Sequence, residues 1–86
     1  MDFEWDEAKD AANRAKHGIG LAQAARLDWG RAIDVEDMRR DYGEVRTVSF
    51  ARLDGRLHAC TWTWRDGRKR IISLRKANRR EVRRNG

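Results

Sequence analysis

The chain has 86 residues, of which 40% are charged, and its formal net charge is +6 at pH 7. This length predicts a single domain over residues 1–86, with a small core built from a few large side chains. Cys60 is the only cysteine, which excludes a disulfide framework and a cysteine-based metal site and predicts a buried thiol. We find no leader pattern, no apolar run of membrane length and no cofactor fingerprint, so we expect a cytoplasmic protein without a cofactor.

The two halves of the chain differ in charge. Residues 1–43 contain seven Lys or Arg and ten Asp or Glu, for a net charge of −3, whereas residues 44–86 contain thirteen and four, for +9. Sixteen of the twenty cations are Arg, whose planar guanidinium binds phosphate oxygens in pairs. The second half therefore favours a nucleic acid or an acidic protein as partner, with an ordinary basic surface as the alternative.

The first third of the chain predicts a short strand and two helices. Residues 3–5 alternate like an edge strand, Asp6 is suited to cap a helix, and Gly18 is suited to end it. Four alanines at i, i+3, i+4 and i+7 predict the helix face that packs closely on its neighbour; they are Ala8, Ala11, Ala12 and Ala15. A second short helix is predicted over residues 21–27, with Leu21, Ala24 and Ala25 facing inward.

From residue 32 the apolar period changes to two, which predicts strands. We expect a weak strand at 32–35, a loop at 39–43, and strands at 45–53, 57–64 and 70–75, with Asp54-Gly55 and Asp66-Gly67 as hairpin turns. A last helix is predicted over 77–84. The predicted fold is α+β: an antiparallel β-sheet, a meander of three to four strands, with two N-terminal helices and a C-terminal helix.

Regular alternation along the last strand has a consequence for its two arginines. Arg75 lies five positions after Arg70, an odd number, so the two side chains emerge on opposite faces of a regular strand. A single site that uses both would need a bulge or a strong twist.

Two groups of charged residues each have two interpretations. Glu44 and Arg46 lie two residues apart. They are either a general base beside a phosphate-binding residue or a surface ion pair, which would contribute at most about 1 kcal/mol to stability. The cations around the second turn form an anion site or a solvated turn; they are Arg65, Arg68, Lys69 and Arg70.

Other residues suited to chemistry or RNA binding also have structural alternatives. Five cations recur at helical spacing and could follow a phosphate backbone, bind an acidic partner or complement the helix dipole; they are Lys76, Arg79, Arg80, Arg83 and Arg84. His17 and His58 are candidate acid–base groups or structural residues. Trp5, Trp62 and Trp64 could stack on bases, but in so small a domain we expect them in the core or at its rim.

Three segments, in order along nearly the whole chain, resemble BrnT-type toxins. They are Phe3-x-Trp5-Asp6-x-x-Lys9-x-x-x-Asn13-x-x-Lys16-His17-Gly18-Ile19, then Glu44-x-Arg46 with Leu53-Asp54-Gly55-Arg56, and then Thr63-x-Arg65 with Arg70-Ile71-Ile72-Ser73-x-Arg75-Lys76-Ala77-x-x-x-x-Glu81. One departure from the family pattern is Gly20, which replaces a Ser-like cap before the second helix.

The resemblance implies the toxin of a type II toxin–antitoxin system, a ribonuclease with a RelE-like fold. It further implies neutralisation by a BrnA-type antitoxin with a ribbon-helix-helix part, and contact with operator DNA only through that antitoxin. RNA would be cleaved without a metal, by attack of its own 2′-hydroxyl.

The residues that match the family motifs then have expected roles. The catalytic group comprises Arg46, Arg70 and Arg75 around the phosphate with Lys76 beside them, Glu44 or His17 as general base, Arg65 at a neighbouring phosphate or in the chemistry, and Lys76 or a His as general acid. The expected RNA contacts are Arg68, Lys69, Arg79 and Arg80. Two other functions stay open: a nucleic-acid-binding protein without catalysis, and a degenerate toxin that only binds its antitoxin.

Overall fold

A five-stranded β-sheet forms the centre of the structure, a computed structural model that describes residues 2–86. The elements are β1 (Phe3–Trp5), α1 (Glu7–His17), two 3₁₀ helices (Leu21–Arg26 and Trp29–Arg31), β2 (Ile33–Glu36), β3 (Thr47–Leu53), β4 (Arg56–Arg65), β5 (Arg68–Lys76) and α2 (Arg79–Asn85). The strand order is β1-β5-β4-β3-β2. Among the described residues, no helix is both long and apolar enough to cross a membrane.

The sheet is mixed, so the prediction of a purely antiparallel sheet is wrong. Strands β2 to β5 are antiparallel to their neighbours, but β1 pairs with β5 in the parallel direction. No hairpin joins β1 to β5, so no tight turn imposes an antiparallel direction on this pair. The two predicted hairpin turns are confirmed, with positive φ at both central residues: 51° and 82° at Asp54 and Gly55, and 52° and 77° at Asp66 and Gly67.

One helix boundary and two helix faces differ from the predictions. The prediction that the alanine face of α1 packs on its neighbour is wrong, because Ala8, Ala11, Ala12 and Ala15 are all exposed. The buried residues of α1 are polar, Asp10 and Asn13. In the first 3₁₀ helix, Leu21 and Ala24 are buried as predicted but Ala25 is exposed, because a 3₁₀ helix repeats every three residues. The C-terminal helix begins at Arg79 rather than at residue 77.

The polar side chains of α1 form hydrogen bonds with backbone groups of other segments. Asn13 Nδ2 donates to the carbonyls of Leu74 and Ile19, both at 2.8 Å, and Asn13 Oδ1 accepts from the Leu74 N–H at 3.1 Å. Asp10 Oδ1 accepts from the Leu21 N–H at 2.7 Å, and thus caps the 3₁₀ helix where Gly20 offers no side chain. The Asn13 amide therefore continues the hydrogen bonding of β5 beyond the end of β1, and blunts that sheet edge.

A bulge in β5 gives the sheet two faces of different character. Thr61 pairs with Ser73 but Trp62 pairs with Ile71, so Ile72 is an extra residue. The core face carries Ile71, Leu74, Cys60 and Trp62 and is covered by the first 3₁₀ helix and Trp29. The opposite face, here the cleft face, carries Arg70, Thr61, Ser73, Val48 and Arg75, since directly paired residues share a face. The bulge therefore sets both arginines on one side of the sheet.

Lys69 closes one end of the core face. Its side chain is buried, and its Nζ lies 3.7 Å from the Trp29 ring centroid, 4.2 Å from that of Trp62 and 5.9 Å from that of Trp64. Ring faces attract a cation, which offsets part of the cost of removing the ammonium from water. Trp62 is a core residue as expected, whereas Trp64 remains 60% exposed beside it. The Cys60 thiol is also buried, as predicted, and burial raises its pKa to about 12.

We expect Asn13→Ala to lower the free energy of unfolding by about 2–4 kcal/mol. The substitution leaves the buried N–H and C=O of Leu74 without their partner, at about 1–3 kcal/mol for each unsatisfied group. Urea unfolding followed by tryptophan fluorescence measures the change. The control is Ala11→Ser on the exposed face of the same helix, which should stay within about 0.5 kcal/mol. Equal stabilities for the two variants would contradict the role of the amide.

Lys69→Met should change the pH dependence of stability. Burial lowers the pKa of Lys69 in the folded protein, so between that pKa and the unfolded value the unfolded state binds more protons. Stability should then rise with pH through this alkaline window in the parent protein, relative to the variant. Urea midpoints of both proteins between pH 8 and about 10.5 measure the difference, and a difference that falls with pH would show that the rings hold the ammonium charged.

Candidate active site

A cleft of about 450 Å³ lies on the cleft face, where α1, the sheet, α2 and the segment after β2 meet. Its lining residues are Lys16 and His17 from the end of α1, Val35 to Arg39, then Val48, Phe50, Thr61, Ser73 and Arg75 from the sheet, and Glu81 from α2. His17 and Arg75 are the two predicted catalytic residues that it brings together. They come from opposite ends of the chain and meet because α1 is fixed to β5 by Asn13.

Arg75 is held in a fixed orientation by α2. Its Nη1 and Nη2 donate to the two carboxylate oxygens of Glu81, at 2.7 and 2.9 Å, and Nη1 also donates to the carbonyl of Lys76 at 3.3 Å. The Glu81 hydrogen bonds raise the pKa of Arg75, and the Arg75 hydrogen bonds lower the pKa of Glu81, so both stay ionised. Among the described residues, Arg75 Nε has no partner. The side fork formed by Nε and the second N–H of Nη2 is therefore open for an anion.

His17 is the last residue of α1 and lines the same cleft. Burial is the main cause that lowers the pKa of His17, and the nearby positive charges of Lys16 and Arg75 lower it further. Its ordinary pKa of about 6.5 moves down, so the imidazole is neutral at pH 7. A neutral imidazole beside a cation can accept a proton from a hydroxyl.

The segment after β2 contributes a second guanidinium to the cleft. Asp37 accepts from Arg39 Nε at 2.9 Å and Nη2 at 2.8 Å, and from the Tyr42 hydroxyl at 3.0 Å. The hydrogen bonds from Arg39 hold the pKa of the Asp37 carboxyl far below its usual range, and those to Asp37 raise the pKa of Arg39. Arg39 and Arg75 both line the cleft, and the positive charge of Arg39 acts to lower the pKa of Arg75, against the larger effect of Glu81.

Glu44, Arg46 and Arg65 form a separate cluster outside the cleft lining. Glu44 is 3.1 Å from Arg46 Nε and 3.7 Å from Arg65 Nη2, and the Arg46 guanidinium stacks 4.0 Å above the Tyr42 ring. The predicted acid–base pair Glu44 and Arg46 is thus an ion pair in this structure. Its carboxylate faces two cations at the end of the sheet, away from His17 and Arg75.

Arg70 shares the cleft face but is engaged by the N-terminal segment. It pairs with Glu4 of β1 at 3.6 Å and with the helix cap Asp6 at 3.9 Å, and it does not line the cleft. Its register partner is Thr63, one row along the sheet from Thr61 and Ser73. Arg70 therefore flanks the cleft rather than forming it.

The remaining predicted site residues are dispersed. Lys76 points to the core-face side, as the register partner of buried His58, so the expectation that it stands beside Arg75 is wrong: neighbouring strand residues alternate. It also ends β5, so it is not part of the helical stripe. Lys69 is buried among tryptophans, so it is not the surface cation that we predicted. Arg68 is exposed at the second hairpin, and Arg79 and Arg80 are exposed on α2.

Three cleft residues were missed by the sequence reasoning: Lys16, Asp37 and Arg39. The predicted loop at residues 39–43 is confirmed. The available signal was Asp37-x-Arg39, an acid and a base two residues apart directly after a strand, the same spacing as in Glu44-x-Arg46. Spacing alone does not tell which of two such pairs faces a cleft.

Comparisons with known proteins agree with this architecture. The family model described as "Ribonuclease toxin, BrnT, of type II toxin-antitoxin system" matches residues 5–81. Among solved structures, the crystal structure of the Brucella abortus ribonuclease toxin BrnT is similar, with a TM-score of 0.72 and 24% identity over 92% of this chain and 99% of that one. No curated protein sequence matches the chain. At this identity the structural likeness supports the fold, and the family match extends over most of the chain. The chain therefore belongs to the BrnT family of ribonuclease toxins of type II toxin–antitoxin systems.

Proposed function

We propose that this protein is an endoribonuclease that cleaves RNA without a metal, with His17 as general base and Arg75 as the phosphate-binding residue. The observation that carries the proposal is the meeting of these two side chains in one cleft. The first is a half-buried imidazole whose pKa is lowered, and the second is a guanidinium with a carboxylate on one edge and a free fork on the other. The family match supports ribonuclease activity.

The chemistry needs only groups that this cleft contains. His17 takes the proton of the 2′-hydroxyl as its oxygen attacks the adjacent phosphorus, and the bond from phosphorus to the 5′-oxygen breaks. The products are a 2′,3′-cyclic phosphate and a 5′-hydroxyl. General acid–base groups contribute roughly 10²–10⁴-fold to such a step, and a preoriented cation stabilises the added negative charge.

Lys16 replaces Lys76 as our candidate for the general acid. Lys76 lies toward the other side of the sheet, whereas Lys16 lines the cleft next to His17. An ammonium can protonate the departing 5′-oxygen, which a guanidinium cannot do because its pKa exceeds 12. Glu44 is a less suitable base than His17, because two arginines engage its carboxylate outside the cleft.

The cations that flank the cleft suit neighbouring phosphates of the same RNA. Arg70 occupies the row of the cleft face beyond Thr61 and Ser73, and Arg46 and Arg65 share the carboxylate of Glu44. Each is paired with a carboxylate, so each is oriented before RNA arrives. Exposed Arg68, Arg79 and Arg80, which lie outside the cleft lining, remain proposed RNA contacts.

The biological setting follows from the family. We propose a cytoplasmic toxin with a RelE-like mode of action that arrests growth, neutralised by a BrnA-type antitoxin. A ribbon-helix-helix part of that antitoxin would make the operator DNA contacts of the complex. Membership of a type II family supports a protein antitoxin as the partner.

Arg75→Ala should lower RNA cleavage by about 10²–10³-fold, because the variant loses a preoriented charge at the phosphate. Cleavage of a single-stranded RNA by the purified proteins is measured in EDTA and with added Mg²⁺, and we expect the parent protein to be equally active in both. The charge-matched control is Arg31→Ala, whose side chain is 90% exposed and lies outside the cleft lining.

The outcomes of this assay separate the open functions. Activity of the parent protein only with Mg²⁺ would overturn the metal-free mechanism. Salt-sensitive RNA binding without any cleavage would indicate a nucleic-acid-binding protein, and antitoxin binding alone would indicate a degenerate toxin. Equal loss of activity in both variants would assign the effect to net charge rather than to the fork of Arg75.

His17→Asn should remove the acidic limb of the pH–rate profile. Because the pKa of His17 is lowered, the rise of kcat/KM with pH in the parent protein should have its midpoint below about pH 6.5. The variant should be slower and show no such rise. The control is His58→Asn, since His58 is buried on the other side of the sheet with its Nδ1 2.7 Å from the Arg56 carbonyl. An unchanged acidic limb in His17→Asn would reassign the general base.

A further inference from the structure

The connection between β2 and β3 is organised around one buried carboxylate. The Asp37 side chain is 2% exposed, whereas that of its partner Arg39 is 77% exposed. Asp37 accepts four hydrogen bonds: from the N–H, Nε and Nη2 of Arg39 and from the hydroxyl of Tyr42. A buried charge persists only when it is fully paired, and this one is. The same Tyr42 ring supports the guanidinium of Arg46.

The hydrogen bonds leave a defined part of Arg39 available. Asp37 occupies its side fork, formed by Nε and Nη2, at 2.9 and 2.8 Å. Among the described residues, Arg39 Nη1 has no hydrogen-bond partner, so Nη1 and the second N–H of Nη2 form an open end fork. Arg75 has the opposite arrangement: its end fork, Nη1 and Nη2, binds Glu81, and its side fork, Nε and Nη2, is open. Each guanidinium of the cleft is thus clamped by a carboxylate on one edge and unengaged on the other.

We propose that Arg39 is a second phosphate-binding residue of this cleft, and that Asp37 is its positioning residue. The inference rests on the proposed function, since it names a further contact for the same RNA substrate. Arg39 and Arg75 line one cleft and repel each other, so an anion between or beside them relieves a repulsion that the free protein retains. Bidentate guanidinium–phosphate pairs are among the strongest hydrogen-bonded contacts to RNA.

The fixed carboxylate makes Arg39 a more effective contact than a mobile surface arginine. An exposed arginine loses side-chain entropy when it binds, which removes much of the gain from a charged contact. Here three hydrogen bonds to Asp37 have already ordered the residue. Arg40 is the next residue of the same segment and has no such carboxylate among the described residues; its guanidinium is 5.9 Å from the Tyr42 ring centroid. The chain therefore contains its own matched comparison.

The test is the salt dependence of RNA binding. Binding of an RNA oligonucleotide that carries 2′-O-methyl groups, which prevent cleavage, is measured by fluorescence anisotropy between 50 and 300 mM KCl. Arg39→Gln removes one charge but retains an amide that can bond Asp37. We expect its slope of log K against log salt to be shallower by about 0.7, the value for one phosphate contact to a single strand. Arg40→Gln should keep the parent slope, and an equal slope in parent and Arg39→Gln would overturn the proposal.

A double-mutant cycle tests the role of Asp37. Asp37→Asn should weaken RNA binding in the parent protein and have no further effect on it in the Arg39→Gln background, because Asp37 acts through Arg39. The same loss of affinity in both backgrounds would show a general structural effect and overturn the positioning role. If Asp37→Asn does not fold, Arg39→Lys replaces it: this variant keeps the charge but loses the two-edged fork, so the salt slope should be retained while affinity falls. If Arg39→Lys binds RNA as tightly as the parent protein does, the oriented guanidinium is not needed and the proposal is overturned.

These experiments can contradict the role of Arg39 without contradicting the ribonuclease function, and the reverse. Cleavage of unmodified RNA by the parent protein with an unchanged Arg39→Gln slope would leave the ribonuclease function standing and remove Arg39 from it. A shallower Arg39→Gln slope in a protein that cleaves no RNA would establish the phosphate contact and remove the catalytic assignment.

Discussion

The contact on which the rest of the cleft depends is the pair of hydrogen bonds between the Asn13 amide and the backbone of Leu74. His17 lies four residues after Asn13, on the same side of α1 and one turn further along. Arg75 directly follows Leu74. One buried amide thus fixes the separation of an imidazole and a guanidinium that are 58 positions apart in the chain. Because both bonds engage backbone atoms of Leu74, they depend on the Asn13 amide and not on the chemistry of the Leu74 side chain.

The bulge in β5 completes this arrangement. Without the extra residue at Ile72, Arg70 and Arg75 would face opposite sides, and one of them would enter the apolar core. With it, Ile71 and Leu74 both face the core while Ser73 and Arg75 face the cleft. The bulge interrupts the pairing of β5 with β4, whereas the Asn13 amide engages Leu74 beyond the end of β1. The bulge therefore sets the side of the sheet that Arg75 faces, and the amide fixes α1 against the same strand.

Sequence reasoning reached the strands, the turns and the approximate helices, because those follow from local periodicity and from residues with restricted φ. It failed for the face of α1, since Ala8, Ala11, Ala12 and Ala15 match an apolar period while the residues that the sheet edge needs are polar. A long-range bond from Asn13 leaves no local signature. The bulge could be named as a requirement for Arg70 and Arg75 to share a site, but not placed, because it depends on how Ile71 and Leu74 pack rather than on their neighbours in sequence.

The sequence shows that the second half of the chain is basic, but it does not show which of its cations share one site. The resemblance to the family motifs suggested that Arg70, Arg75 and Lys76 act together, yet the strand directs Lys76 to the other side of the sheet and the acidic N-terminal segment engages Arg70. Carboxylates from both halves of the chain orient these arginines. Glu4 and Asp6 hold Arg70, Asp37 holds Arg39, Glu44 holds Arg46, and Glu81 holds Arg75.

Such pairing sets the character of the cleft. An unpaired group of arginines would repel one another and attract any polyanion with little geometric preference. Carboxylates that occupy one edge of each guanidinium reduce the net charge and leave one edge with a fixed direction, so selectivity shifts from total charge to the placement of phosphate oxygens. In the reaction that we propose, the carboxylates also remain beside the phosphate after cleavage, where their charge repels that of the bound product. The proposed cleft can then orient a phosphodiester and still release the cyclic phosphate, since the acids that orient each guanidinium limit how tightly it holds an anion.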